Sequence, residues 1–215
     1  MIPKVVHRIW FGPKKIPDVC LEYGRKWESL GYETRLWTEA NLPPLVNQRI
    51  YDEIGERGTN AGSGIAEIGV WVQRADVVAY ELIQQMGGIY ANMDMEPVRV
   101  LDDILDGVTA FAGIEEHPWI CNALMGCTPG HWFFAKVISE LPARYDRDPG
   151  GVMSHVTGPH LLTDVAHRFG GLTVFGAEKF YPFIWHQMER ENEEHPDAYT
   201  IHHWHHRKPW LVEDA

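Results

Sequence analysis

The stretch Gly87-Gly88-Ile89-Tyr90-Ala91-Asn92-Met93-Asp94-Met95-Glu96 limits the fold of this chain more than any other. Two glycines end a long amphipathic segment, and a run follows in which apolar and polar residues alternate. Successive side chains of a β-strand point to opposite faces. A strand here puts Ala91, Met93 and Met95 on one side and Tyr90, Asn92, Asp94 and Glu96 on the other. Pro97 disfavours its continuation as a central strand. Such a strand carries acid and amide oxygens to a rim, an array suited to a hard divalent cation and the phosphates it carries. A solvated strand end has the same spacing.

The segment ahead of the glycines is the clearest helix. From Ile65 to Met86, apolar residues recur at Ile65, Ile68, Val72, Ala75, Ala79, Leu82, Ile83 and Met86, which is helical period. Asp76 lies one turn from both Val72 and Ala79, on or beside that stripe, where a carboxylate needs a partner or a ligand. An ordinary exposed helix charge is the alternative. Upstream, Lys4 to Trp10 and Tyr32 to Trp37 read as strands. Asp18 to Leu30, and a segment ending near Gly58, read as helices. That succession argues for βαβ units. His7 and Arg8, at the C-terminal end of a first strand, are placed for a ligand in an open α/β sheet. A satisfied core histidine fits His7 equally.

Thr59 to Gly64 reads as a flexible loop. Downstream, Leu101 to Leu105 reads as a short helix, Thr109 to Ile114 as a strand, and His131 to Leu141 as a helix before a loop from Tyr145 to Gly151. Trp119 to Cys127 is an apolar run holding Asn122, an amide suited to a cleft. Thr157 reads as the cap of a helix with an early proline, Pro159. Leu172 to Phe175, Phe180 to Ile184 and Tyr199 to Trp204 read as strands, the last leading into His205-His206-Arg207-Lys208-Pro209-Trp210.

With 215 residues, 45% of them hydrophobic, one domain spanning 1–215 is expected. The net charge of −11 argues against nucleic-acid binding but allows an anionic substrate bridged by a metal. Cys20, Cys121 and Cys127 lack zinc-like spacing, and their odd number fits a reducing compartment. Neither a signal-peptide core nor a run of roughly 20 apolar residues is present, so a cytoplasmic protein without a membrane span is expected. Most of the nine tryptophans are expected in the core.

Four pieces in this order resemble the DxD-containing sugar transferases of glycosyltransferase family 32, and more distantly the glucosylating clostridial toxins. They are Ile2 to Gly12, Arg74-Ala75-Asp76 leading to Gly87-Gly88-Ile89-Tyr90, Thr157-Gly158-Pro159, and Ile201-His202-His203-Trp204 with Trp210. The resemblance implies a GT-A fold, an α/β domain with a mainly parallel, Rossmann-like mixed sheet flanked by helices. It implies a UDP- or GDP-hexose donor, a carbohydrate or other hydroxyl acceptor, manganese or magnesium, and transfer with retention. Val6, His7, Ile9 and Trp10 would hold base and ribose, and Asp76 the sugar or ribose. Asn122 would lie near the sugar, and Tyr90 belongs to the donor-binding segment. Asn92 and Asp94 stand at the two DxD positions. Asp94 would be the main metal ligand, helped by Glu96, His202 or His203. Trp204 and Trp210 would close over the donor, with Arg207 and Lys208 beside its phosphates.

The chain departs from the family pattern at Asn92, an amide where an acid is usual, at Ala79, where an arginine is usual, and at Pro209, where a serine is usual. Arg74 is a candidate to compensate for Ala79. The departures motivate a rival reading, a module that binds a sugar nucleotide or glycan without turnover. A metal-dependent hydrolase is a third reading.

Overall fold

The computed structural model describes residues 1–57 and 66–205. In chain order the elements are β1 (Val5–Ile9), α1 (Asp18–Ser29), β2 (Glu33–Trp37), α2 (Gln48–Arg57), α3 (Ala66–Met86), β3 (Gly88–Ala91), β4 (Met95–Pro97), β5 (Ala110–Glu116) and β6 (Trp119–Cys127). There follow α4 (Trp132–Arg147), α5 (Met153–Val156), α6 (Pro159–Phe169), β7 (Thr173–Phe175), α7 (Ala177–Phe180) and β8 (Thr200–His202).

Six strands form one sheet in the order β2-β1-β3-β6-β5-β7. β1 pairs in parallel with both β2 and β3, and β5 with β7; β6 runs antiparallel to β3 and β5. Only β6 is reversed, so the sheet is mixed and mainly parallel. Alternation along the strands feeds two cores. Tyr90, Ala110 and Ala112 face the layer of α2, α3, α4 and α6, where Ile54, Val78, Phe134 and Leu162 pack. Ile89, Ala91 and Phe111 face the opposite layer with Trp27 of α1, Leu101 and Phe180. The candidate site lies just beyond the C-terminal end of β3.

The two glycines before β3 are there for backbone reasons. Gly87 and Gly88 have φ of +67° and +96°, a region that side chains other than glycine rarely enter. A Cβ on Gly88 would sit 2.6 Å from the carbonyl oxygen of Val5 in β1. Gly88→Ala is therefore expected to cost about 3 kcal/mol, combining strain with overpacking. Thermal unfolding should read this as a fall of roughly 6–12 °C in Tm.

The alternating stretch is not one strand. β3 ends at Ala91, the Asn92 amide bonds the Ala123 carbonyl at 2.8 Å, and the Met95 amide bonds back to the Asn92 carbonyl at 3.0 Å. The chain turns over Asn92–Asp94 and re-emerges as β4, which pairs antiparallel with β8 in a separate two-stranded sheet. The phase of the alternation is reset there. Residues 101–105 form turns rather than a helix. Tyr181 to Ile184 is irregular, with the Tyr181 hydroxyl accepting from the Leu124 amide at 3.0 Å. α4 passes through Pro142 to Arg147, its last turns anchored by the fully buried Tyr145. Of the tryptophans on described residues, only Trp27 and Trp204 are buried, and Trp132 and Trp185 are exposed. Trp37 and Trp71 are partly buried and pack against the core, so four of the eight tryptophans on described residues take the expected core role and the other four do not.

Candidate active site

Two polar clusters meet at the end of β3. The first belongs to α3. Asp76 is on the buried side of that helix, 7% exposed. Its Oδ1 accepts from Asn122 Nδ2 of β6 at 2.7 Å, and its Oδ2 accepts from the Thr157 hydroxyl at 2.8 Å. Burial pushes its pKa up to about 7, against the two hydrogen bonds, which pull it down. Thr157 does not cap α6. Gly158 is the N-cap residue, which frees the Thr157 hydroxyl for Asp76. The Thr157 carbonyl accepts from the Tyr80 hydroxyl at 2.8 Å, one turn along α3 from Asp76.

The second cluster belongs to the turn and the C-terminal strand. Asp94 Oδ1 accepts from His202 Nε2 at 3.0 Å, and its Oδ2 accepts from the His205 amide at 3.0 Å. The Asp94 carbonyl accepts from the His203 amide at 3.1 Å. Trp204 lies against the His202 ring, centroids 3.9 Å apart. It has a φ of 51°, the one non-glycine residue with positive φ among those described. It is buried, with Nε1 donating to the Phe183 carbonyl, so it backs His202 rather than offering a free face.

Tyr90 joins the clusters. Its hydroxyl donates to Asn92 Oδ1 at 2.7 Å. Its pKa is driven up, chiefly by burial and then by the charges of Asp76 and Asp94. With its oxygen engaged, the Asn92 amide nitrogen has no hydrogen-bond partner among the described residues. It is a donor available to a hydroxyl or a phosphate oxygen.

Other candidate residues lie elsewhere. His7 is fully buried, with Nε2 donating to the Gly87 carbonyl and Nδ1 accepting from Trp37 Nε1, both at 3.0 Å. Both nitrogens are used, so it is the satisfied core histidine. Val6 is buried, and its backbone lies in the sheet between β2 and β3. Pairing of β1 with β3 ends at His7, but Ile9 still pairs with Trp37 of β2 and packs in the core, and Trp10 Nε1 donates to the Lys14 carbonyl at 2.7 Å. Arg74, two residues from Asp76 and so on the far side of α3, donates to the Tyr51 carbonyl at 2.8 Å and lines a groove with Glu39, Pro43 and Gln48. It does not compensate for Ala79, which is itself fully buried.

Glu96 and His203 also leave the proposed metal set. The Glu96 carboxylate is bonded by His203 and Lys26, which hold its pKa down to about 2. Burial lowers the pKa of His203, but its bonds to Glu96 and Glu191 outweigh this and raise it. Each of its ring nitrogens lies 2.7 Å from a carboxylate oxygen, Nδ1 from Glu191 and Nε2 from Glu96, which places His203 in a polar chain from α1 to residue 191. Arg207, Lys208, Trp210 and the loop 59–64 lie outside the described residues.

Among the described residues no three His, Cys, Asp or Glu side chains converge as a metal set. Asp94 Oδ1 and His202 Nε2, 3.0 Å apart, would be the residues to hold a divalent ion, which would replace the hydrogen bond between them and leave the ring proton on Nδ1. The His202 Nδ1 is buried with no partner among the described residues. A carboxylate and an imidazole at this spacing are a mixed O/N donor pair of the kind manganese accepts.

The architecture is that of the GT-A glycosyltransferases. PaToxG glycosyltransferase superposes with a TM-score of 0.59 at 16% identity, over 78% of this chain and 69% of its own. The UDP-bound glycosyltransferase domain of the YGT toxin superposes with a TM-score of 0.55 at 9% identity, over 80% of this chain and 79% of its own. In sequence the chain is 27% identical over 169 residues to inositol phosphoceramide mannosyltransferase 3 of Schizosaccharomyces pombe. That match covers 75% of this chain and 44% of the relative, so the chain spans less than half the length of that protein. No family model matches the chain. The resemblance to sugar transferases is thus met by relatives of that kind. Among the described residues no helix is long and apolar enough to cross a membrane.

Proposed function

We propose that this chain is a metal-assisted, retaining hexosyltransferase that moves a sugar from a UDP- or GDP-hexose to a hydroxyl acceptor. One observation carries the reading: a carboxylate–amide–hydroxyl cluster at Asp76 and a carboxylate–imidazole pair at Asp94 flank the single residue Asn92 at the end of β3. Strand ends of an open α/β sheet are where such folds hold ligands. The sugar belongs at Asp76 and Asn122, where fixed hydrogen-bond partners can read hydroxyls. The diphosphate belongs at Asn92 and Asp94. The mannosyltransferase relative makes GDP-mannose the first donor to try, and the UDP-bound neighbour makes UDP-sugars the second.

Two phosphate charges beside Asp94 repel unless a cation lies between them, in a chain that carries −11 overall. A divalent ion held by Asp94 and His202 would supply Lewis-acid stabilisation of the charge that develops on the leaving phosphate. In the transfer, the acceptor oxygen bonds to the anomeric carbon and the carbon–oxygen bond to phosphate breaks with its electron pair on phosphate. For retention by a front-face route, the acceptor proton passes to that phosphate oxygen. Asp76 is a poor nucleophile for the double-displacement alternative, because it is buried and both its oxygens already accept hydrogen bonds. Burial likewise raises Glu115, whose carboxyl is hydrogen-bonded to Cys121.

The test is release of nucleoside diphosphate from GDP-mannose, UDP-glucose and UDP-galactose with manganese, with and without simple methyl glycosides as acceptors. Release from at least one donor, abolished by chelator, is expected. Tight donor binding by calorimetry with no release would favour the binding module, and no binding of any donor would overturn the reading.

A further inference from the structure

Arg8 is a buried neighbour of the site that the proposed reaction does not use. It is 3% exposed, inside the sheet on β1. Its guanidinium bonds two backbone carbonyls: Nη1 donates to Cys20 of α1 at 2.7 Å, and Nη2 donates to Met93 in the turn at 2.6 Å. Nε has no partner among the described residues. A buried cation with no carboxylate bonded to it is costly to the fold. The chain nevertheless makes room for it: a Cβ on Gly24, in the interior of α1, would lie 2.6 Å from Nη1. A glycine inside a helix is itself unfavourable. Two destabilising choices, on separate elements, thus serve one guanidinium, which ties Cys20 of α1 to Met93, the residue between Asn92 and Asp94.

We propose that Arg8 is a positioning residue for the donor phosphates, pinning the Met93 carbonyl so that Asp94 faces His202 and the Asn92 amide faces the crevice. Its charge, lying beneath the turn, also favours the negative charge gathered at Asp94. This inference rests on the functional reading above for its kinetic part, but its geometric part is independent of it. Loss of the Met93 bond frees the turn to rotate about Asn92–Asp94. The Met95 amide, bonded to the Asn92 carbonyl, and the His205 amide, bonded to Asp94, then lose their partners.

Gly24→Ala is the decisive variant, with Arg8→Met and Arg8→Lys beside it. Alanine improves the helix propensity of α1, but its Cβ would sit 2.6 Å from Nη1 and push the guanidinium off its carbonyls; a purely structural view expects only a lower Tm, with manganese binding and kinetics of the folded protein unchanged. The positioning role expects, beyond any fall in Tm, at least tenfold faster hydrogen exchange at the Met95 and His205 amides of folded Gly24→Ala, with amides elsewhere in the fold little changed. It also expects at least tenfold weaker manganese binding, measured by the paramagnetic resonance of free Mn2+, and a fall in kcat larger than the change in donor KM. Arg8→Met should do the same more severely. Arg8→Lys should recover little, because one ammonium does not reproduce the fork across two carbonyls. Unchanged exchange at Met95 and His205 in folded Gly24→Ala would overturn the proposal. So would an Arg8→Met protein that loses Tm but keeps its manganese affinity. If the unaltered protein releases no nucleoside diphosphate, the functional reading fails, and the exchange data still decide the role of Arg8.

Discussion

Asp94→Asn is expected to lower nucleoside diphosphate release by about a thousandfold, while Glu96→Gln changes it by less than about threefold. Asparagine at 94 keeps an oxygen for the His205 amide and nearly the same shape, so the turn survives. What it removes is the charge that would hold a cation against the donor phosphates. Preorganised electrostatic groups of this kind are worth roughly 3–4 kcal/mol each, and metal chemistry adds to that. Glu96 sits two residues away but in the ion-pair chain with Lys26 and His203. Its pKa of about 2 marks a stabilising role that is present above the ordinary carboxylate range and lost as pH falls through about 2. The pair is partly solvent-exposed, so Glu96→Gln should cost only about 1 kcal/mol at neutral pH, read as a small fall in Tm. Equal activity loss in both variants would mean that the two carboxylates are not divided in this way.

The second large effect is at Asp76. Asp76→Asn should remove most activity, because a sugar hydroxyl loses its carboxylate acceptor, and yet it should stabilise the protein at alkaline pH. The sign follows from linkage. A carboxyl whose folded pKa is raised from 3.8 to about 7 favours the fold fully below the unfolded value, and this advantage is lost as pH rises to the folded value. Between pH 5 and pH 8 the penalty for keeping Asp76 buried grows by about 2–3 kcal/mol. Asparagine does not ionise, so the Tm of Asp76→Asn relative to the unaltered protein should climb across that interval by several degrees. A Tm difference that stays flat from pH 5 to pH 8 would show that Asp76 ionises normally and that its burial does not set its chemistry.

Much of this arrangement is legible in the sequence, and the misses have physical causes. The period of α3 put Asp76 beside a buried stripe, and the glycines before β3 announced a sharp turn into a strand. Asn122 stood out as a polar group in an apolar run. The errors cluster where tertiary bonding overrides local pattern. Alternation placed Asn92, Asp94 and Glu96 on one face, but the turn held by the Ala123 carbonyl resets the phase. Glu96 then pairs with His203, while Asp94 pairs with His202. His203 follows His202 in sequence, and in extended backbone neighbours face opposite ways; one ring cannot share a ligand sphere with the next. Thr157 read as a cap because a helix follows it, although its hydroxyl goes to Asp76. Arg8 stood out only as a polar residue at the end of a first strand; that it bonds two backbone carbonyls leaves no pattern in the sequence. The glycine that admits it, Gly24, lies in the middle of a well-patterned helix, where a lone glycine is the only trace.

The central claim is that one nucleotide sugar spans the two clusters, diphosphate at Asp94 and sugar at Asp76. Anomalous scattering from manganese, in crystals grown with Mn2+ and whichever of GDP-mannose, UDP-glucose or UDP-galactose the protein binds, tests it directly. The expected result is a single manganese peak coordinated by Asp94 and by donor phosphate, with the hexose in hydrogen-bond contact with Asp76 and Asn122. A peak at Glu96 and His203, or a hexose bound away from Asp76, would contradict it.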